Sequence, residues 1–282
     1  MISVIVLTFN SEATIRKTLG TAFQVSDDVH VVDSFSADNT RQIAETAGAN
    51  VVQHAFEHYG IQRNWAMDHL PLRHQWQLHL DSDEYLTDEL IAEINAIKGK
   101  LSPDVRGFYI ARITCFLGRL LRHGGLTTWH MRLFQHGKGR CEDRRYDQHF
   151  FVEGATRKLH SPMVDDHRSS LSEWTARHNR WSDAEVGELL GRSLGKTIAG
   201  RIQGGVVERK RALREWYYRA PRLLRPFALF CYRYFLRLGF LDGLPGFIYL
   251  VLQTFWFRFL IDAKLFEAGR HEQRSVGQSS GV

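Results

Sequence analysis

Apolar and polar positions alternate in blocks along the first hundred residues. Short apolar runs occur at 2–7, 29–32 and 51–52, and between them apolar residues recur every three or four positions. The short, β-branched runs predict buried strands, and the longer spacing predicts helices. Strands and helices that alternate at this interval predict βαβ units, in which parallel strands are covered by helices on both faces.

The predicted helices have recognisable first residues. Asn10 or Ser11 can cap the first helix, Asp38 the second and Thr87 the fourth, while a third helix is predicted over 59–70. These residue types favour a helix start because their side-chain oxygens accept hydrogen bonds from the first backbone N–H groups. The chain therefore predicts four helices between the strands of its first hundred residues.

A strand predicted over 75–80 ends at the strongest chemical signal in the chain. Asp81 and Asp83 follow it, one residue apart. Ligands of open parallel sheets bind beyond the carboxyl ends of the strands, and two carboxylates there can share a divalent cation with a diphosphate. Such a DXD motif is common in turns, so its position after a buried strand is what favours a cation site. Asp33 ends the second strand, where it predicts either a ribose or base ligand or a turn residue.

The pattern changes after residue 104. Mixed strands and loops are predicted over 105–154 and helices from 171 onward. Between 201 and 237, ten arginines and lysines face only two acids and are interleaved with aromatic residues. The apolar stretch over 243–257 is shorter than the roughly 18 to 20 residues that a spanning helix needs. This combination is typical of a helix lying in a membrane interface, and a buried helical subdomain is the alternative.

Composition narrows the function classes. The net charge of +6 suits nucleic acid, anionic lipid or phosphate-bearing ligands about equally, and three scattered cysteines predict neither a disulfide framework nor a zinc site. The first residues indicate a strand rather than a signal peptide, so a cytoplasmic location is expected. No glycine-rich dinucleotide or P-loop motif is present, which disfavours dehydrogenases and P-loop enzymes. His149, His160 and His167 match no HExxH spacing and are expected to be ordinary histidines.

Several short motifs, taken in order, resemble the family 2 glycosyltransferases of the GT-A fold, most closely the bacterial lipopolysaccharide-core glucosyltransferase type. The matching segments are 3–10, 31–40, 60–64, 78–84, 118–125, 131–134, 238–243 and 264–267. The resemblance implies an α/β, Rossmann-like, mostly parallel sheet flanked by helices, with a helical, membrane-associated C-terminal segment.

The resemblance also implies roles for individual residues. Asp83 is expected to be the principal metal ligand, with Asp81 contacting the metal or the ribose, and the cofactor is expected to be Mn²⁺ or Mg²⁺. The expected contacts to the nucleotide-sugar come from several motifs and are Thr8, Asn10, Asp33, Gln62, Asn64, Asp81 and Arg132.

The catalytic base is less sharply marked. Inverting transfer needs a group that takes the proton of the acceptor hydroxyl. The family's Val-His-Glu-like element corresponds to Tyr146–Phe150, and its glutamate falls near Gln148, which cannot act as a base. The candidates, in order of preference, are Asp147 and Asp143, then Glu142 and His149.

The expected function is inverting transfer of a sugar, most commonly UDP-linked in this family, to a glycan or glycolipid in cell-envelope polysaccharide or lipopolysaccharide biosynthesis. The expected partners are the nucleotide-sugar, a glycan or lipid-linked acceptor and the anionic inner face of the cytoplasmic membrane, with no nucleic acid. The predicted division is a catalytic domain over 1–200, an interfacial segment over 201–270 and a flexible tail over 271–282. A nucleotidyltransferase and a non-catalytic membrane-associated binding protein are the alternatives.

Overall fold

A computed structural model describes residues 1–99, 104–143, 147–191, 201, 203 and 205–279. The described residues divide into two compact units. The first unit consists of the described residues in Met1–Arg122 and Leu126–Arg168. The second unit consists of His123–Gly125 and the described residues from Ser169 onward.

The first unit contains the strands. In chain order they are β1 (Ile2–Thr8), β2 (Val29–Asp33), β3 (Asn50–Gln53), β4 (Trp76–Asp81), β5 (Glu84–Leu86), β6 (Val105–Phe116), β7 (Arg119–Leu121), β8 (Thr128–Gln135), β9 (Gly139–Cys141), β10 (Phe150–Val152) and β11 (Ala155–His167). Its helices are α1 (Ile15–Ala22), α2 (Thr40–Thr46), α3 (Tyr59–His69) and α4 (Asp88–Ile97).

Most of the strands form one sheet in the order β3-β2-β1-β4-β8-β6-β11-β5, with β7 beside β6 and a separate β9–β10 pair. The first four neighbours are parallel, whereas β8 joins β4 and β6 in antiparallel pairing. Strand β11 then runs parallel to β6 and antiparallel to β5. The sheet is therefore parallel in its N-terminal half and mixed in the remainder.

Helices cover both faces of the parallel half, which explains why β1 has apolar side chains at four successive positions, 4–7. Val4 and Val6 point to the core that includes α1 and α4, while Ile5 and Leu7 point to a second core with α3. Every residue of β1 is buried. A strand covered on both faces needs apolar side chains at successive positions, so alternation is lost. The predicted α/β fold class is confirmed.

The helix starts agree with the prediction in part. Thr87 caps α4, and its hydroxyl accepts a hydrogen bond from the Leu90 N–H, as expected. Helix α1 instead begins after Thr14, because the two candidate caps have other partners. The side-chain oxygen of Asn10 accepts the Ala37 N–H, and the Ser11 hydroxyl donates to the Phe9 carbonyl oxygen.

The second unit is helical in its described part. It contains α5 (Leu171–Leu189), α6 (Val206–Arg219), α7 (Leu224–Cys231), a π-helical segment (Tyr232–Leu236), a 3-10 turn (Gly239–Asp242), α8 (Gly243–Tyr249), a second π-helical segment (Leu250–Trp256) and α9 (Phe257–Ser279). Ser170 and Glu173 form a capping box at the start of α5. The continuous helical stretch Gly239–Arg270 is long and apolar enough to cross a membrane by length and composition, although a third of its most apolar window is buried in the protein.

Charged groups inside the second unit are paired. Glu185 is fully buried and accepts hydrogen bonds from Arg258 and Tyr218, with Arg214 2.9 Å away. Asp262 is equally buried and pairs with Arg225. A buried carboxylate persists only when paired in this way, so these contacts fix how the helices of the unit pack.

The predicted three-part division stays a prediction. Its first boundary lies at the edge of 192–200, which are outside the described residues, as are 280–282 at the end of the predicted tail. The backbone of α9 continues through Ser279.

Candidate functional site

Three metal-ligating side chains meet where β5 pairs with β11. The antiparallel register places Asp165 opposite Glu84, and the Asp166 N–H donates to the Asp83 carbonyl oxygen over 2.8 Å. Asp165 and His167 are two residues apart on one strand and therefore share a face of the sheet. This register carries both side chains to the loop that holds Asp83.

The ligand atoms of Asp83, Asp165 and His167 all lie within 4.8 Å of one another. Asp165 is buried, whereas Asp83 and His167 are half-buried, so the group is open on one side. Two carboxylates and an imidazole form a donor set that fits a divalent cation. Asp83 was predicted as the principal metal ligand, and Asp165 was not among the predicted residues. His167 was expected to be an ordinary histidine, and the structure instead places it in this group.

Asp81 is engaged differently from its neighbour in the DXD motif. Arg63 Nη2 lies 2.8 Å from Asp81 Oδ1, and Arg132 Nη2 lies 2.9 Å from Asp81 Oδ2. Burial alone would raise the pKa of Asp81, but the two guanidinium groups outweigh it and hold that pKa well below its ordinary value. Asp81 is therefore ionised and held by arginines rather than by Asp83 and its partners.

The ion pairs continue from Asp81 to the candidate metal ligands. Arg132 Nη2 also donates to Glu84 Oε1, 2.5 Å away. Arg112 Nη1 lies 3.3 Å from Glu84 Oε1 and 3.4 Å from Asp165 Oδ2. Glu84, which is fully buried, accepts in addition the backbone N–H of Asp81. We name this chain from Arg63 through Asp81, Arg132, Glu84 and Arg112 to Asp165 the arginine–carboxylate network.

The charges of the network indicate which ions could bind beside it. Three guanidinium groups face the three carboxylates of Asp81, Glu84 and Asp165, and Asp83 beside them adds one more negative charge. Opposite charges at these distances stabilise each other strongly where water is excluded. A cation at Asp83 would add positive charge beside the arginines, and an anion could then be bound there.

Arg132 has unused donors in this arrangement. Its side chain is almost fully buried, and among the described residues Nε and Nη1 have no hydrogen-bond partner. A buried N–H group without a partner is costly, so an acceptor from outside the described residues or from a ligand is expected there. Arg132 was predicted to contact the nucleotide-sugar, and this geometry is consistent with that prediction.

The predicted nucleotide contacts near β1 and β2 lie close together in the structure. Thr8 is paired with Asp33 in the parallel register of the two strands. Asp33 is completely buried and accepts hydrogen bonds from Ser36 and from the side chain of Gln53. Asn10 is exposed and has a left-handed backbone with φ of 47°. The structure therefore presents Asn10 to solvent, while Asp33 holds the loop beneath it.

Gln62 and Asn64 hold backbone segments together. The Gln62 amide oxygen bonds to the His54 ring, and the amide nitrogen donates to the backbone carbonyl oxygen of His54 and to the Ser34 hydroxyl. The Asn64 amide donates to the Cys141 carbonyl and accepts from the Cys141 N–H, at 3.0 and 2.9 Å. Both side chains are therefore occupied by protein partners, and a direct contact of either with the nucleotide stays a prediction.

The candidate bases lie around 142–149, and residues 144–146 of that loop, including Tyr146, are outside the described residues. Asp143 is 65% exposed and lies 3.1 Å from His58 Nε2. Asp147 has a left-handed backbone and lies 3.7 Å from His149 Nε2. Glu142 is buried and accepts the His149 N–H. Of these carboxylates Asp143 is the most exposed, and Asp147 remains the preferred candidate from sequence.

A shallow cavity of about 350 Å³ borders the same loop. It is lined by Asn64, Asp68, Arg140, Cys141, Glu142, Asp143 and Phe151. Several of the lining side chains are charged, with both signs present, but most of the exposed wall area is apolar. Asp143 lies at this cavity.

Sequence reasoning missed Asp165, His167, Glu84, Arg63 and Arg112. A weak signal for the first two exists, since the apolar pair Met163-Val164 is followed by Asp165-Asp166-His167. Acidic and histidine residues at a strand end are the same kind of signal as the DXD motif. The other three are single charged residues in otherwise ordinary elements, and only the tertiary structure brings them together.

Comparison with known proteins finds similarity to glycosyltransferases. The model of the family described as Glycosyl transferase family 2 matches residues 3–140. An uncharacterized glycosyltransferase of Rickettsia typhi is 36% identical over 96 residues, which cover 34% of this chain and 32% of that protein. One from Rickettsia felis is 38% identical over 96 residues, covering 34% and 33%. The chain spans about a third of the length of the curated relatives it matches.

Solved structures overlap in part. TarS of S. aureus, residues 1–349, has 29% sequence identity and a TM-score of 0.32, covering 39% of this chain and 36% of that one. Glucosyl-3-phosphoglycerate synthase of Mycobacterium tuberculosis, crystallised with Mn²⁺, UDP and glucosyl-3-phosphoglycerate, has 21% identity and a TM-score of 0.33, covering 40% and 44%. Neither overlap extends over half of either chain.

Proposed function

We propose that the chain is an inverting glycosyltransferase, because the model of glycosyl transferase family 2 matches residues 3–140. It transfers a sugar from a nucleotide-sugar to a hydroxyl group of a glycan or glycolipid acceptor. The observation that carries the proposal is the convergence of Asp83, Asp165 and His167 beside the arginine–carboxylate network, at the carboxyl end of a buried strand. This is where an open α/β sheet binds its ligand.

The proposal assigns the cation to these three side chains. A divalent cation bound there supplies Lewis-acid stabilisation for the negative charge that develops on the departing nucleoside diphosphate. Carboxylates suit Mg²⁺ and Mn²⁺ alike, whereas imidazole is a softer ligand. The presence of His167 therefore favours Mn²⁺ over Mg²⁺.

The arginines complete the donor site. Arg132 uses its remaining N–H donors for diphosphate oxygens while Nη2 stays on Asp81 and Glu84. Arg63 and Arg132 keep Asp81 ionised, so that its carboxylate can accept a hydrogen bond from ribose or approach the cation. Thr8, Asn10 and Asp33 belong to the nucleoside end of the site.

The acceptor site lies next to the loop over 142–149. Asp147, or Asp143 in second place, removes the proton of the acceptor hydroxyl as its oxygen attacks the anomeric carbon. One displacement inverts that centre, and the sugar–phosphate bond breaks with its electron pair leaving on the diphosphate. The donor is UDP-linked, and the acceptor belongs to cell-envelope polysaccharide or lipopolysaccharide biosynthesis at the inner face of the cytoplasmic membrane.

A donor screen tests this function. The purified protein is incubated with each common nucleotide-sugar and Mn²⁺ or Mg²⁺, and released nucleoside diphosphate is measured. We expect release from one donor, higher with Mn²⁺, and its loss in Asp83→Asn. Asp183→Asn, which changes an exposed aspartate of the second unit, is the matched control and should retain full release.

Calorimetry with Mn²⁺ separates binding from turnover. Binding that is lost in both Asp83→Asn and His167→Gln supports the metal site independently of any acceptor. Equal Mn²⁺ affinity in wild type and both variants would contradict it. Binding of metal without binding of any nucleotide-sugar would contradict the transferase function itself.

A further inference from the structure

The second unit presents an apolar surface to solvent that its own fold leaves uncovered. Leu236 is 75% exposed and Leu244 is 68% exposed. The side chains that we name the apolar rim are Leu224, Phe227, Phe235, Leu236, Leu238 and Leu244, all of which are exposed. Exposed apolar residues that occur singly are ordinary, but a cluster of this kind within about twenty residues marks a surface that binds a partner.

The backbone beneath the rim is held in place. The Asp242 carboxylate accepts both the N–H of His123 and its Nδ1, at 2.9 and 2.7 Å, and the Gly124 N–H donates to the Arg237 carbonyl oxygen. Gly239 packs so closely that a Cβ there would lie 2.5 Å from Leu250 Cδ1. The turn that carries the rim is thus fixed by buried contacts, and its apolar side chains are directed outward by a defined backbone.

The charges around the rim have one predominant sign. Over 209–247, one acid, Glu215, is exposed, against five exposed basic residues. The exposed basic residues are Arg209, Lys210, Arg219, Arg222 and Arg237. Apolar side chains bordered by basic ones match an anionic lipid surface, where each cation near the headgroups adds about 1 kcal/mol.

The long helical stretch of the unit indicates how deep the contact goes. Its polar side chains are bonded within the unit: Gln253 contacts His178, and Lys264 contacts Asn179. Arg258 and Asp262 belong to the buried ion pairs of Glu185 and Arg225. A helix crossing the bilayer would bring all of these charged partners into hydrocarbon, which is costly.

We propose that the apolar rim inserts into one leaflet of an anionic bilayer, so that the second unit is a monotopic membrane anchor that does not span the membrane. This inference rests on the membrane partner of the proposed function and specifies the residues that contact the membrane and the depth of that contact. Leu and Phe side chains enter the acyl boundary, while the surrounding guanidinium and ammonium groups bind lipid phosphates.

Vesicle flotation tests the proposal. The full chain is mixed with phosphatidylcholine vesicles with and without 30 mol% phosphatidylglycerol (about that needed to make the surface clearly anionic). We expect flotation with the anionic vesicles. The triple variant Phe235→Ser, Leu236→Ser and Leu244→Ser should reduce the bound fraction at least tenfold. The double variant Arg219→Gln and Arg222→Gln should lower binding to anionic vesicles and leave the weaker binding to neutral ones unchanged.

Control variants distinguish loss of membrane binding from misfolding and from binding of a second copy of the chain to the apolar rim. Leu117→Asn removes an exposed leucine of the first unit, 51% exposed, and should float like wild type. The triple variant should keep the wild-type Mn²⁺ affinity and melting temperature, and release of nucleoside diphosphate without vesicles reports on the proposed function alone. Unchanged flotation of a folded triple variant would overturn the proposal. So would a concentration-dependent dimer, seen by sedimentation, that the same substitutions abolish without any vesicle binding. Resistance to alkaline carbonate extraction would overturn the one-leaflet depth.

Discussion

The two ends of the sheet in the first unit treat buried carboxylates differently. At the amino end, Asp28 is 1% exposed and accepts hydrogen bonds from the Ser3 hydroxyl and from the Arg73 N–H and Nε, with His30 Nε2 3.0 Å away. At the carboxyl end, Asp81 is 24% exposed, and its carboxylate contacts only guanidinium groups among the residues that the structure describes. Both carboxylate oxygens of Asp28 therefore have hydrogen-bond partners from the protein, whereas Asp81 lies beside the half-buried group of candidate metal ligands.

This difference separates a structural acid from a functional one. A carboxylate that is saturated by donors of its own fold stabilises that fold and has no capacity left for a ligand. The carboxyl end places Asp83 beside the network, together with Asp165 and His167, in a half-buried group whose side chains suit a cation. Substitutions at the two ends should therefore separate stability from activity.

The largest expected effect is on activity at the carboxyl end. Asp83→Asn should lower the rate of nucleoside-diphosphate release by about 10³-fold, since a Lewis-acid cation contributes several kcal/mol to charge stabilisation. Because Asp83 is half-buried, its free energy of unfolding should change by less than about 1 kcal/mol. Turnover assays and urea denaturation of the same sample check both values. A large loss of stability with retained turnover would reverse the distinction between the two ends.

The next largest effect is on stability at the amino end. Asp28→Ala should lower the free energy of unfolding by about 3 kcal/mol, because it leaves Arg73 and the Ser3 hydroxyl without their buried partner. Its neighbour Asp27 is mostly exposed, so Asp27→Ala is the matched control and should change stability little. Chemical denaturation measures both, and equal losses in the two variants would contradict the structural role of Asp28.

Acid should weaken the amino end in a defined pH window. Burial opposes ionisation of Asp28, but hydrogen bonds from Ser3 and Arg73 prevail and lower its pKa to about 2, from 3.8. A carboxyl whose folded pKa is lowered contributes stability above the unfolded pKa, and that stability is lost as the pH falls from 3.8 to 2. The loss should amount to about 2 kcal/mol. Stability measured against pH should show it in wild type and not in Asp28→Asn.

The smallest expected effect comes from changing the shape of a side chain while keeping its charge. Arg132→Lys keeps the positive charge but replaces a planar fork that reaches Asp81 and Glu84 with a single ammonium group. We expect kcat/KM to fall about tenfold with the Mn²⁺ affinity unchanged, which steady-state kinetics and calorimetry can measure. An unchanged kcat/KM would show that Arg132 acts only through its charge.

The parallel half of the fold was predictable because its information is local. The predominantly apolar run of β1 and the cap at Thr87 can be identified within windows of a few residues, and both are confirmed. Strand β8 was predicted only as part of a region of mixed strands and loops, and β11 lies in a segment for which no element was predicted, because the pairing of both depends on residues far away in the chain. Local patterns specify an element, but they do not specify its neighbour in the sheet.

The candidate site was predictable to the same extent. Asp83 was found from the strand that precedes it, whereas Asp165 and His167 reach it only through the register of β11. Residues of a motif can also hold the backbone: Gln62 and Asn64 are bonded to protein groups, and their contact with the nucleotide stays a prediction. The motifs over 118–125 and 238–243 meet through His123 and Asp242, in a packing contact inside the second unit.

The β5–β11 register also has a consequence for biogenesis. The ligand set spans more than eighty positions, so a nascent chain that has emerged only as far as residue 140 contains Asp83 but neither of its partners. Affinity for the ion should therefore arise late in synthesis, when β11 has docked, and the ion cannot template the early parallel strands. For the proposed ligand set, binding of the ion would therefore follow completion of the sheet, and a segment ending at residue 140 would bind the ion weakly.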